Sequence, residues 1–141
     1  MKNNIHPCMW FDGQAQAAAT FYCGFFPNST IISDNGMVVY FELNGQKFMG
    51  LNGGNQFQFN EAISFVISCE NQTEIDFYWN NLVSNGGKEG QCGWCKDQFG
   101  VSWQIVPIQL GKLMSDPEKG RLVVESFMKM KKIDIESLNS L

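Results

Sequence analysis

Apolar and polar positions along the chain alternate in blocks that predict the same run of elements twice. Ile5 to Phe11 is apolar and aromatic and predicts a strand, which Asp12-Gly13 ends. Ala15 to Phe26 is alanine-rich. Ala18, Phe21, Tyr22 and Phe25 recur at helical spacing, so one face is expected to be buried, and Pro27-Asn28 stops the helix. Thr30 to Ser33, Met37 to Leu43 and Gln46 to Leu51 predict strands. Asp34-Asn35-Gly36 forms the first turn, and Asn44-Gly45 is a strong two-residue hairpin signal.

The second block opens near Glu61. Ala62 to Cys69 predicts a strand, and Asn71 with Glu74 three residues on predicts a helix start. Ile75, Tyr78, Trp79 and Leu82 give that helix its apolar stripe, and Asn85-Gly86-Gly87 ends it. Gly86 to Pro107 then predicts two strands around the polar break Lys96-Asp97-Gln98-Phe99-Gly100, with Gly100 supplying a positive φ. Beyond Pro107 the pattern turns helical. Asp116-Pro117 is a cap and first-turn proline, Val123, Phe127 and Met130 form a buried face, and Asp134 caps a last short helix. Phe21-Tyr22 recurs as Phe77-Tyr78, and Asn44-Gly45 as Phe99-Gly100. The chain therefore divides into a first module of about 1–55, a second of about 61–107 and a helical tail of about 108–141, within one domain.

Composition narrows the class. A hydrophobic fraction of 44% over 141 residues suits a globular protein with a real core. The net charge of −4 argues against nucleic acid or an acidic membrane surface as a partner. The run Lys129-Met130-Lys131-Lys132 suits a helix C-terminus. No apolar stretch reaches membrane-spanning length, and the first residues lack the apolar run of a signal peptide. Five cysteines, an odd number, fit reduced thiols in the cytosol better than a secreted disulfide framework.

The order FDG…FY…FP…FELNGQKF…LNGG, followed by NEAISF…GQCGW…KDQFG…SWQIVP, resembles the PhnB-like family. That family lies within the glyoxalase/bleomycin-resistance/extradiol-dioxygenase group, the vicinal oxygen chelate proteins. The likeness runs through nearly the whole chain into LGKLMSDPEKGR and MKMKKIDIESL. It implies an α+β fold of two βαβββ modules whose curved mixed sheet surrounds a cleft, with C-terminal helices and a homodimer. Metal-dependent members hold a divalent ion with four side chains, and carrying those places over by motif gives Pro7, Met49, Ile63 and Gln104. Only Gln104 offers a donor suited to a hard or borderline cation, because methionine sulfur prefers soft metals. Three or four good ligands are needed, so no metal and no other cofactor is expected.

Strand parity extends this to a cleft lining. With Gln104 facing the cleft, Trp103 packs under a helix, Pro7, Met9 and Phe11 line the cleft from the first module, and Ile63 and Phe65 from the second. His6, the sole histidine, then faces away. Cys92, in the family-like GQCGW, is the candidate cleft-side thiol. Cys92 and Cys95 on one extended strand would lie roughly 10 Å apart, beyond the ~7 Å a disulfide allows.

The first functional reading is a protein binding a small, mostly apolar molecule in a metal-free cleft. A metal-dependent lyase, dioxygenase or transferase of the same group is the alternative. The family is also labelled a demethylubiquinone methyltransferase, although no G-x-G-x-x-G follows a strand and opens a helix here.

Overall fold

The computed structural model describes residues 4–141, so the first three residues of the expected first module lie outside it. The chain forms two units, one ending at Phe59 and the other running from Asn60 to Leu141.

In the first unit, β1 (Cys8–Phe11) leads into α1 (Ala15–Cys23), followed by β2 (Thr30–Asp34), β3 (Val38–Leu43) and β4 (Gln46–Asn52). The sheet order is β1-β4-β3-β2, with β1 parallel to β4 and the other pairs antiparallel. Local chemistry places the turns. Asn44 and Gly45 both take positive φ (51° and 83°), as a two-residue hairpin requires. Asn35 Oδ1 accepts from the backbone N–H of Met37 and Val38, which closes the turn before β3. Helix α1 buries Ala15, Ala18, Ala19 and Tyr22 against this sheet. The small alanines bring helix and sheet close, and Tyr22 stacks on Phe41, which stacks on Phe48. Each such aromatic contributes about 2–3 kcal/mol through burial.

In the second unit, β5 (Phe65–Cys69), α2 (Gln72–Leu82), β6 (Lys88–Glu89), β7 (Trp94–Lys96) and β8 (Ser102–Pro107) repeat that order, and the sheet runs β5-β8-β7-β6. The Asn71 side chain caps α2 by accepting from the Glu74 N–H, as the sequence predicts. Gly100 has φ 87° in the β7–β8 turn. Lys96, expected in that turn, instead ends β7.

The tail forms α3 (Leu110–Met114), α4 (Gly120–Phe127) and α5 (Ile135–Asn139). Leu110, Val123, Ile133 and Leu138 make its core, with Phe127 and Met130 packed against it. Asp134 caps α5 through the Ser137 N–H. The basic run follows α4 rather than ending it, and Lys132 pairs with Asp76 of α2 at 2.8 Å.

Both units run strand, helix and three strands in that order, but the residue pairs expected to echo one another do not match in position. Tyr22 and Trp79 occupy the buried helix positions, whereas Phe77 is exposed. Cys8 pairs with Met49 in the first sheet as Val66 pairs with Gln104 in the second.

Candidate functional site

Each sheet has one face covered by its helix and one face that is not. Register decides which side chains belong to which. In the first unit Met9 pairs with Gly50, which pairs with the fully buried Val39. A Cβ on Gly50 would touch Ala15 of α1 and the Phe11 ring. Met9 and Phe11 therefore lie on the α1 side, which corrects the parity expected for β1. The opposite face carries Cys8, Met49 and Tyr40, which share one register row. His6 joins them, its ring 6.0 Å from the Tyr40 ring, so it faces this side rather than away from it. Its Nδ1 is buried without a hydrogen-bond partner. Pro7 is half-buried, and its carbonyl accepts from the Met49 N–H at 3.0 Å.

In the second unit Phe65 is the register partner of Trp103, and their rings lie 5.3 Å apart. Trp103 is buried on the α2 side, as parity predicts. Phe65 therefore belongs to that side and cannot share a face with Gln104, a second correction. Ile63 precedes β5 and is 73% exposed. Gln104 does face away from α2. Its Nε2 donates to Ser64 Oγ at 2.9 Å. Cys92 is not on a strand. It sits at φ 61° in the turn before β7, where its backbone N–H donates to the Met130 carbonyl and its thiol to the Met128 carbonyl.

A cavity of about 500 Å³ opens in the second unit, walled by Trp94, Lys96 and Ser102 of the hairpin, by Lys88 to Gln91, and by Glu61. Trp94, Lys96 and Ser102 lie on the Gln104 face, because Trp94 pairs with Gln104 and Lys96 with Ser102. Ser102 is 1% exposed, and its hydroxyl has no hydrogen-bond partner. A buried hydroxyl so placed forfeits solvation without compensation, which marks it as a position where a ligand can supply the partner. Lys96 Nζ meets Glu61 Oε1 at 2.8 Å and holds the Glu61 carboxyl below the usual carboxylate range. Glu89 is tied up differently, accepting from the Trp79 indole at 2.8 Å. Sequence reasoning grouped Ser102 with Gln104 but missed the part played by Lys96 and Glu61, which needed the ends of β7 and the 60–64 segment to be brought together.

The cysteines do not make a redox pair. All five are free, and burial pushes the Cys95 thiol up to about 12 with help from the Asp97 and Glu89 carboxylates. A thiol so raised is a poor nucleophile and a poor metal ligand. Among the described residues no group of three or more His, Cys, Asp or Glu side chains could hold a metal ion. The four places carried over for a divalent ion do not fit one either. Pro7 and Ile63 lack donors, Met49 offers a thioether, and the Gln104 amide oxygen alone falls short of the three or four ligands such an ion needs.

Comparison with known proteins places this geometry in context. The family described as 3-demethylubiquinone-9 3-methyltransferase matches residues 3–106. A PhnB protein of Bacillus cereus, described as a putative 3-demethylubiquinone-9 3-methyltransferase, is 30% identical, covering 74% of this chain and 99% of its own at a TM-score of 0.68. A glyoxalase-related enzyme of Fulvimarina pelagi is 17% identical, covering 75% of this chain and 88% of its own, with a TM-score of 0.56. The fosfomycin resistance protein FosX of Listeria monocytogenes, solved with Mn(II) and sulfate, is 13% identical, covering 74% and 89% at a TM-score of 0.56. The last two share the fold alone. None of the curated proteins matches.

Proposed function

Because the chain belongs to the PhnB-like family described as 3-demethylubiquinone-9 3-methyltransferase, within the glyoxalase/bleomycin-resistance group, we propose that it is a small-molecule-binding protein of that fold working without a metal. The observation that carries this is the second-unit cavity, where the Trp94 indole offers an apolar wall beside the unpartnered Ser102 hydroxyl. A mostly apolar molecule with one polar group suits that pair. The methyltransferase label gains no support from the chain, which has no dinucleotide-type glycine loop to cradle a nucleoside cofactor. A fold shared by so many reactions cannot select one, so the residues present decide the reading.

Two finer points belong to the same proposal. Each sheet is open and leaves edge strands, which favours a homodimer, and light scattering reading a monomer would count against it. Five free thiols favour the cytosol, and among the described residues no helix is long and apolar enough to cross a membrane.

The test uses 2-naphthalenemethanol, an apolar ring with one hydroxyl, titrated calorimetrically into protein treated with a chelator. Saturable binding that is lost in Trp94→Ala is expected. Binding that appears only on adding a divalent metal, or that Trp94→Ala leaves untouched, would overturn the reading.

A further inference from the structure

The walls of the second-unit cavity carry a charge arrangement that an apolar binding site does not need. Lys88 and Lys96 are direct register partners across the β6–β7 pair, so their side chains project from the same face. Like charges directly opposite one another are unfavourable in a sheet, and the strain calls for a compensating anion. Lys96 has one in Glu61, at 2.8 Å. Lys88 makes no ion pair among the described residues. Ser102, the register partner of Lys96 on β8, adds a buried hydroxyl free to donate. Lys88, Lys96 and Ser102 thus all line the cavity that Trp94 walls.

We propose that this cavity takes an anionic small molecule, an apolar or aromatic body carrying a carboxylate or phosphoryl group, and that the Glu61 carboxylate occupies the anion's place until the ligand displaces it. The proposal rests on the reading of the cavity as a small-molecule site and adds the ligand's charge. Glu61 lies in the turn segment just before β5, outside regular structure, and its side chain is 64% exposed. Exposed ion pairs contribute little to stability, so an incoming carboxylate loses little in replacing it. The ligand's anion then gains what Glu61 lacks, the second lysine and the Ser102 hydroxyl, as charge-assisted hydrogen bonds. Meanwhile its ring lies against Trp94. Glu89 keeps its charge but, as the neighbour of Lys88 on β6, projects to the opposite face of the sheet, where the Trp79 indole N–H meets its carboxylate.

The experiment compares 2-naphthoate with 2-naphthalenemethanol, two probes that share a ring and differ in charge. Calorimetry on the full chain is run for the wild type and for Glu61→Gln, Lys88→Met and Lys96→Met, with unfolding midpoints confirming that each variant is folded. Naphthoate is expected to bind roughly tenfold more tightly than the alcohol, with its affinity falling as salt rises. That preference should vanish in Lys96→Met and shrink in Lys88→Met. Glu61→Gln should tighten naphthoate severalfold and leave the alcohol unchanged. Equal binding of the two probes, or a preference for naphthoate that survives Lys96→Met, overturns the charge assignment while leaving the small-molecule reading intact. Binding of neither probe overturns both.

Discussion

Trp103 donates its indole N–H to Asp97 Oδ2 at 2.9 Å, and so ties the start of β8 to the turn that precedes it. The other carboxylate oxygen accepts from the backbone N–H of Phe99 and Val101, at 2.9 and 3.0 Å. Asp97 is 3% exposed, and its carboxylate organises the β7–β8 turn from inside. Asp97→Ala would leave three donors, two of them buried, without this acceptor. A loss of about 3 kcal/mol in unfolding free energy is expected, since bonds to a charged acceptor are worth more than neutral ones. Urea unfolding of the variant against the wild type measures it.

Alkaline pH should destabilise the protein through its buried thiols. Cys95 and Cys69 are raised from 9.0 to about 12 and about 11, chiefly by burial. In the unfolded chain these thiols ionise near their ordinary value, while in the folded protein they hold their protons. The folded state thus binds more protons between pH 9 and about 12, and stability falls as pH rises through that window. Below pH 9 the contribution is fully present. The slope is at most about 1.4 kcal/mol per pH unit for each thiol. Urea midpoints at successive pH values should show the decline, and Cys95→Ala should make it shallower.

Thiol labelling should follow exposure. Cys8 is exposed, Cys23 and Cys92 are partly covered, and Cys69 and Cys95 are buried. An alkylating reagent on native protein at pH 8 is expected to modify Cys8 first and to spare Cys69 and Cys95 until denaturant is added, as read by peptide mass spectrometry. Early modification of Cys95 would contradict its burial within β7.

The tail is part of the second unit rather than an appendage. The Gly93 N–H donates to the Lys131 carbonyl, and a Cβ on Gly93 would lie 2.8 Å from the Ile105 carbonyl oxygen and 2.9 Å from Ile133 Cδ1. Ile133 itself is fully buried. Ile133→Ala should cost about 3 kcal/mol through the cavity it leaves. Leu122→Ala, at a residue 50% exposed on α4, should stay within about 0.5 kcal/mol. Equal effects in thermal unfolding would mean the tail does not pack as described.

Signals confined to a few adjacent residues were legible in the chain. Asn44-Gly45 had to turn, because few other pairs accept two consecutive positive φ values. Asn71 had to cap, because its side chain reaches the Glu74 N–H across one helical turn. The family likeness was equally plain, carried by motifs spread over both halves. The candidate site was legible only in part. Ser102 and Gln104 were placed on one face by simple alternation along β8, and there the structure agrees. Alternation also grouped Pro7, Met9 and Phe11 with them, and for Met9 and Phe11 it does not.

By itself the sequence determined which residues alternate, where the chain turns and which family architecture results, since these depend on torsional preferences and neighbours a few positions away. Tertiary structure decided which of two alternating faces each helix covers. A strand presents both faces equally until something packs on one of them. Closure of α1 over Met9 and Phe11 left Cys8 and Met49 on the other side, and the pairing of β6 with β7 set two lysines beside Trp94.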